Sequence, residues 1–274
     1  MLSFSIIRDV GPLNWITRNC IYQFRKRILG RETSFRLPTG ATITLSGHKG
    51  NGVLYLTQGN IDWGSEAILA RFADGGRDFL DIGSHIGYYA AYLAPRVRRV
   101  YAFEPNPSNL PALYKNAQLA TNIQVVEMAA SSRDGEANFF CGRNSSVSSL
   151  NSVGGRVLKV AVTTVDTFVR NNPGIDVSQI KIDVEGHDLE VLHGMDATIR
   201  TFQPLILTEC EWSERLTDLC SQWEYSVFAF TRDRKTKKLT FRELRGNDAA
   251  KYWCKMLFLV PLCLRTAFSD LTDN

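Results

Sequence analysis

The chain has 274 residues, 44% of them hydrophobic and 22% charged, an ordinary globular composition. Its net charge of +4 is too mild to imply a nucleic-acid partner, and its basic clusters, Arg25-Lys26-Arg27 and Arg232 to Lys238, form no continuous stripe. The six cysteines (Cys20, Cys141, Cys210, Cys220, Cys254, Cys263) include no Cys-x-x-Cys pair, which argues against a zinc site or a disulfide framework and for thiols in a reducing, cytoplasmic setting.

No apolar run reaches the roughly 18 residues of a membrane span, and Met1 to Gly30 lacks the layout of a signal peptide. Ile6 to Leu29 mixes apolar and basic residues at loosely helical spacing, interrupted by Gly11-Pro12. Short helices are expected there, packed on the domain or lying against a membrane surface or partner. Thr33 to Thr57 reads as two or three short antiparallel strands punctuated by Pro38-Thr39-Gly40 and Lys49-Gly50-Asn51-Gly52. Residues 1–64 are thus expected to be a helical and β-hairpin extension, and 65–274 the main domain. Ser65 to Phe72 is a predicted helix with Ser65 as its N-cap.

From Asp78 onward strands and helices alternate. Strands are expected at Phe79–Ile82, Arg99–Phe103, Ile123–Met128, Ala137–Phe140, Ile180–Val184 and Pro204–Thr208. Helices are expected at Ile86–Leu93, Pro107–Leu119, His187–His193 and Ser213–Trp223. Tyr225–Phe230, Leu239–Leu244 and Cys254–Val260 read as late strands with an antiparallel finish. Such alternation predicts an α/β fold, a mostly parallel sheet with helices on both faces. Gly142 to Gly155, rich in Ser, Asn and Gly, is the expected mobile loop, and with the Thr33–Thr57 strands it is a candidate substrate lid.

Two strand ends carry the functional signal. The first runs into Asp81-Ile82-Gly83-Ser84-His85-Ile86-Gly87, and the second ends on Glu104, 104 − 81 = 23 residues later. Ligands of open parallel sheets bind beyond such carboxyl ends. Asp-x-Gly-x-x-x-Gly is not the Gly-x-Gly-x-x-Gly of dinucleotide sites, where a carboxylate would oppose the pyrophosphate. A nucleoside cofactor with an ammonium and a sulfonium suits Asp81 better, a description that fits S-adenosylmethionine. Glu104 can accept hydrogen bonds from ribose hydroxyls. The alternative is that Asp81 only caps the following helix and Glu104 is a surface acid.

Lys181, Asp183 and Glu185 alternate and would share one strand face. They could form an internal ion pair, or the strand end could face substrate. With Glu209 on the next strand end, a carboxylate could act as general base on an acceptor hydroxyl. Asp183, Glu185 and Glu209 could instead hold a divalent cation through oxygens. His187, at the start of a helix, is a further candidate base. His48 and His193 read as structural.

At these residues the chain resembles the FkbM family of S-adenosylmethionine-dependent methyltransferases. The resemblance runs from about Val53 to Pro261 and rests on Phe79 to Gly87, Phe103-Glu104-Pro105, Ile180 to Gly186, Val191-Leu192-His193-Gly194 and Leu257 to Pro261. It implies a Rossmann-like class I methyltransferase fold, a seven-stranded and mostly parallel sheet, and O-methylation of a hydroxyl on a sugar, glycan or secondary metabolite. It further implies that Asp81, Gly83 and Gly87 hold the amino-acid portion of the cofactor and Glu104 its ribose. Ala129, Ala130 and Ser131 would approach the adenine, with Ser84, His85 and Asn106 completing the set. Where the family usually has Ala-Asn, this chain has Ser84-His85. A nucleic-acid amino-methyltransferase would show Asp/Asn-Pro-Pro-aromatic where this chain has Asp183-Val184-Glu185-Gly186. The alternative from another class is a non-catalytic, cofactor-binding or interaction protein that keeps the fold.

Overall fold

A computed structural model describes residues 2–27, 32–45, 52–141, 149–151, 156–246 and 248–272. Two helices open the chain, α1 (Leu2–Val10) and α2 (Pro12–Arg27), broken at Gly11 as the sequence predicts. The hairpin of β1 (Thr33–Arg36) and β2 (Thr42–Leu45) follows. The next segment, Gly52–Thr57, is a helix, α3, and not a third strand. Its run Val53 to Leu56 has no alternation, and the consecutive residues Leu54, Tyr55 and Leu56 are all buried. Tyr22 stacks on Tyr55 at 5.5 Å, and the Arg18 guanidinium donates to the Leu56 carbonyl at 2.7 Å. These contacts dock α2 onto α3.

The main domain starts with α4 (Ser65–Arg71). Ser65 does not cap it: Gly64 takes the cap position in a left-handed conformation. The Glu66 carboxylate reaches back instead, accepting from the Ile61 and Asp62 N–H groups at 2.6 and 2.9 Å. Then come β3 (Asp78–Ile82), α5 (Tyr88–Leu93), β4 (Arg99–Phe103), α6 (Leu110–Ala117), β5 (Ile123–Val126) and β6 (Ala129–Ala130). Next are β7 (Gly135–Cys141), β8 (Arg156–Thr163), α7 (Val165–Asn171), β9 (Val177–Ile182), α8 (Asp188–His193) and α9 (Asp196–Phe202). The chain closes with β10 (Leu205–Thr208), α10 (Glu214–Trp223), β11 (Ser226–Asp233), β12 (Leu239–Glu243), α11 (Asp248–Lys251), β13 (Tyr252–Cys254), β14 (Leu257–Val260) and α12 (Arg265–Ser269).

The main sheet has the order β5-β4-β3-β9-β10-β14-β11-β12, with β13 beside the end of β11, nine strands among the described residues. The first seven in that order are the expected Rossmann-like sheet, and β12 and β13 extend its antiparallel edge. Pairing is parallel from β5 through β10, and β14 runs antiparallel between β10 and β11. β6, β7 and β8 form a separate three-stranded sheet.

Two cores lie on the two faces of the main sheet. Phe79, Val100, Ala102, Leu207 and Phe258 pack with α5, Leu69 of α4 and Ile43 of the hairpin. Leu80, Ile82, Phe103, Ile180, Ile182 and Ile206 pack with Val191, Ile199 and Leu216. Adjacent residues of a strand serve opposite cores, which leaves β3 and β9 buried on both sides. α7 and β8 were absent from the sequence reading. Leu158, Val160 and Val162 recur at every second residue, and Thr164 is a working N-cap that accepts from the Thr167 N–H, so both carried a usable signal.

Candidate functional site

The carboxyl ends of β3, β4 and β9 lie side by side. β3 stops at Ile82, and the chain turns at Gly83 with φ +80°. A Cβ on Gly83 would stand 1.9 Å from the Asp183 carbonyl oxygen, so only glycine lets the two strand ends approach. The Gly83 and Ser84 N–H groups donate to the Phe103 carbonyl at 3.1 and 2.9 Å, tying the turn to β4. The Ser84 hydroxyl donates to the Asp81 carbonyl at 2.8 Å. His85 has φ 51°, the left-handed region that Asn and His tolerate better than most residues. Gly87 also has a left-handed φ, and a Cβ there would meet Leu113 Cδ1 at 2.8 Å.

Asp81 is fully buried and faces away from the cavity at these strand ends. It sits in register with Lys181 of β9 on the same face of the sheet. One carboxylate oxygen accepts from the Ala90 N–H at 3.0 Å, and the other lies 3.7 Å from Lys181 Nζ. Burial raises its pKa against the pull of Lys181.

Lys181, in turn, points into the α5 face. Its Nζ donates to the Gly83 carbonyl at 2.9 Å, lies 3.3 Å from Asp183 Oδ2, and stands 5.4 Å from the Tyr89 ring centre. The alternation expected through Glu185 fails because β9 stops at Ile182 and Glu185 adopts φ 53°. The internal ion pair is the arrangement observed for Lys181.

Glu104, 4% exposed, stands at the end of β4. One oxygen accepts from the His85 N–H at 2.8 Å and the other from the Asn106 N–H at 2.8 Å. The Asn109 side chain adds a third hydrogen bond, yet burial still pushes the pKa up to about 7. A carboxylate offers about four acceptor sites, so Glu104 retains capacity for a further donor. Asn106 is buried beside it, its Oδ1 accepting from the Ser108 N–H at 3.0 Å.

These residues border a cavity of about 140 Å³. One wall is Gly83, His85 and Glu104, and another is Met128, Ala129, Ala130 and Phe139. Asp183, Val184, Glu185 and His187 form the third. Residues 142–148 and 152–155 of the expected mobile loop lie outside the described residues. Ser149, from the same loop, donates to the Glu185 carbonyl at 2.9 Å, and Asn151 donates to the Gly186 carbonyl at 2.9 Å. They clamp the left-handed turn at Glu185 and Gly186.

Oxygens of Asp183, Glu185 and Glu209 lie within 4.8 Å of one another. Three carboxylates this close cannot all carry full charge without compensation. Burial opposes the Asp183 charge, but Lys181 and a hydrogen bond from Glu209 outweigh it and hold Asp183 low. Burial and Asp183 together raise Glu209, which makes Glu209 the proton-carrying member of that pair. Asp183 is 35% exposed and Glu209 opens to solvent, so the site is partly wet. Burial and then Asp183 push Glu185 up to about 7. His187 Nε2 lies 2.9 Å from Ser131 Oγ and Nδ1 3.4 Å from Asn151 Oδ1, and burial lowers its pKa.

Further along the same edge stand the ends of β10, β14 and β11. Here Trp63 meets Trp253 edge to face at 4.8 Å, flanked by Arg232 and Lys255 at 4.7 and 5.1 Å from its ring centre. Trp253 is half exposed. Asp62, beside Trp63, accepts from the Tyr89 hydroxyl at 2.7 Å and feels the charges of Lys255, Asp183 and Lys181.

Of the residues named from sequence, Gly83, His85, Glu104, Ala130, Asp183, Glu185 and His187 border the cavity. Asp81, Ser84, Gly87 and Asn106 stand behind its wall, and Glu209 stands beside it within the carboxylate cluster. Asp62, Asp188 and the two tryptophans were not anticipated. Asp188, which accepts from Thr208 Oγ1 at 3.0 Å, follows the recognised Glu185-Gly186 segment and could have been read from it.

A family model described as Methyltransferase FkbM domain matches residues 81–241. Hexuronic acid methyltransferase AglP of Haloferax volcanii is 28% identical over 130 residues, 46% of this chain and 53% of that protein. The chain thus matches about half the length of that curated relative. Among solved structures, methyltransferase FkbM from Methylobacillus flagellatus KT aligns with TM-score 0.43 and 16% identity over 76% of this chain and 52% of that one. TrmK of M. capricolum, in complex with S-adenosyl-homocysteine, aligns with TM-score 0.38 and 13% identity over 71% and 66%.

Proposed function

The chain belongs to the methyltransferase FkbM domain family, and on that premise we propose that it is an S-adenosylmethionine-dependent methyltransferase acting on a hydroxyl of a sugar or glycan. The observation that carries this reading is the convergence of three strand ends on one cavity: the Gly83 turn, Glu104, and the Asp183–Glu185 turn. Glu104 is a buried acid whose three hydrogen bonds leave its pKa raised to about 7, so hydroxyl donors or a nearby cation would compensate it. A ribose and a sulfonium offer both. The apolar wall of Met128, Ala129 and Ala130 suits the flat face of a base. Asp81 acts here as a positioning residue, holding α5 and Lys181.

When bound, S-adenosylmethionine supplies an already activated methyl group, so the protein's part is alignment, exclusion of water and removal of a proton. Of the acids lining the cavity beside the acceptor edge, Glu185 has its proton affinity near neutrality, as a general base requires. Lys181 holds Asp183 charged, which suits it to orient a hydroxyl. His187 has both ring nitrogens engaged with neutral partners and positions α8 against β6.

Two observations support a carbohydrate acceptor. AglP acts, by its name, on a hexuronic acid. The half-exposed Trp253, packed edge to face on Trp63, offers an apolar ring for a sugar face. The test is transfer of labelled methyl from S-adenosylmethionine to a panel of free and glycan-linked sugars, uronic acids included. Labelled sugar, with the methyl on oxygen, is expected. Binding of the cofactor with no transfer to any hydroxyl acceptor would favour a cofactor-binding protein without this activity.

A further inference from the structure

We propose that α2 lies in the plane of an anionic membrane surface, with its apolar stripe in the interface and its basic C-terminal end, Arg25-Lys26-Arg27, at the lipid headgroup phosphates. The stripe is Leu13, Ile16, Cys20 and Phe24, spaced +3, +4, +4 and so aligned along one side of a helix. Leu13 is 80% exposed, Ile16 52% and Phe24 51%; Cys20 is exposed as well, and Ile21 borders the stripe. Four of the nine large hydrophobic residues exposed among the described residues belong to this one helix, so the pattern is local to it. Scattered single exposures need no explanation, but a continuous stripe does.

The opposite side of α2 is already committed to the domain, through Tyr22 on Tyr55 and Arg18 on the Leu56 carbonyl. The stripe therefore faces outward while the helix is held in place. Charge selects the occupant. From Val10 to Gly30 the sequence has no Asp or Glu, and it carries Arg18, Arg25, Lys26 and Arg27. Apolar and cationic residues on one short helix match an anionic lipid surface. Among the described residues no helix is long and apolar enough to cross a membrane, so contact is in-plane. A second copy of this chain would bring its own cations with no acidic residue between Val10 and Gly30 to pair them, which disfavours self-association. The inference does not depend on the catalytic reading.

The experiment is co-sedimentation of the full chain with vesicles of phosphatidylcholine alone or mixed with phosphatidylglycerol. Binding should rise at least about tenfold with the anionic lipid and weaken with salt. Leu13→Gln/Ile16→Gln/Phe24→Gln should lose binding with an unchanged melting temperature, because these side chains are exposed. Arg25→Gln/Lys26→Gln/Arg27→Gln should lose the preference for anionic vesicles. Wild-type protein left in the supernatant with anionic vesicles at low salt would overturn the proposal. So would wild-type binding by the triple apolar variant, or a vesicle-free dimer that the same variant disperses.

Discussion

Gly83→Ala tests whether the ends of β3 and β9 must touch. Two costs add. A non-glycine residue in the left-handed region costs about 1–2 kcal/mol, and Gly83 has φ +80°. The new Cβ would lie 1.9 Å from the Asp183 carbonyl oxygen and 2.9 Å from its carbon, both backbone atoms. Relief requires the strand ends to part by about 1 Å. That movement strains the Asp183 N–H to Ile82 carbonyl bond at 3.0 Å and the Lys181 to Gly83 carbonyl bond at 2.9 Å. Two hydrogen bonds are worth roughly 2 kcal/mol. A stiffer unfolded chain returns about 0.4–1 kcal/mol, leaving a net loss of about 3 kcal/mol. The matched control is Gly174→Ala, at φ +95° with nothing within 4 Å of the added Cβ. It carries only the backbone cost, about 1 kcal/mol or less after the same offset. Denaturant unfolding of both variants measures the difference. Equal, small losses would show that the two strand ends are not in contact, and the cavity geometry would be wrong.

Glu185→Gln should lower turnover by about 10²–10⁴ while S-adenosylmethionine affinity holds. With the base near pH 7, wild-type activity rises as pH climbs through that region and levels above it, because the working form is deprotonated; a variant that keeps this limb would remove Glu185 from the role. Trp253→Ala should raise the acceptor KM with little change in cofactor affinity, corresponding to roughly 1 kcal/mol or more of lost stacking; the reverse split would place the tryptophans off the acceptor path. Activity should survive a chelator, since Lys181 and a proton on Glu209 already meet the charge of the cluster; loss on chelation with recovery in magnesium would contradict that.

The Rossmann-like core was legible because its signals are local. Asp81 and Glu104 each follow an apolar run near a strand end, Asp183 follows Ile180-Lys181-Ile182, and residue order alone aligns those ends in a parallel sheet. What stayed hidden depends on where a strand stops or on contacts across the chain. Lys181, Asp183 and Glu185 alternate in sequence, but β9 ends at Ile182 and the left-handed Glu185 breaks the shared face. The pairing of Asp81 with Lys181 has no local signal, because the two are 100 residues apart, as 181 − 81 shows, and only sheet register brings them together. Trp63 and Trp253 meet through the last antiparallel strands, a pairing no local pattern encodes. α3 was misread because a short continuous apolar run serves strand and helix alike.

The most direct measurement is calorimetric titration of S-adenosylmethionine into the wild-type chain and into Glu104→Gln, at about pH 6.5, in buffers of different ionisation enthalpy. Glu104 holds its proton to about pH 7 because burial outweighs its hydrogen bonds and the charge of Lys181. Ligand hydroxyls and positive charge favour the carboxylate, so wild-type binding should release most of one proton per site at about pH 6.5 and almost none above about pH 8.5. The Gln side chain keeps an acceptor for only one of the two backbone N–H groups and has no proton to release. Its affinity should fall by about 10- to 100-fold, with the proton signal gone. Equal affinity and equal proton release in the two proteins would contradict the assignment of this cavity to the cofactor.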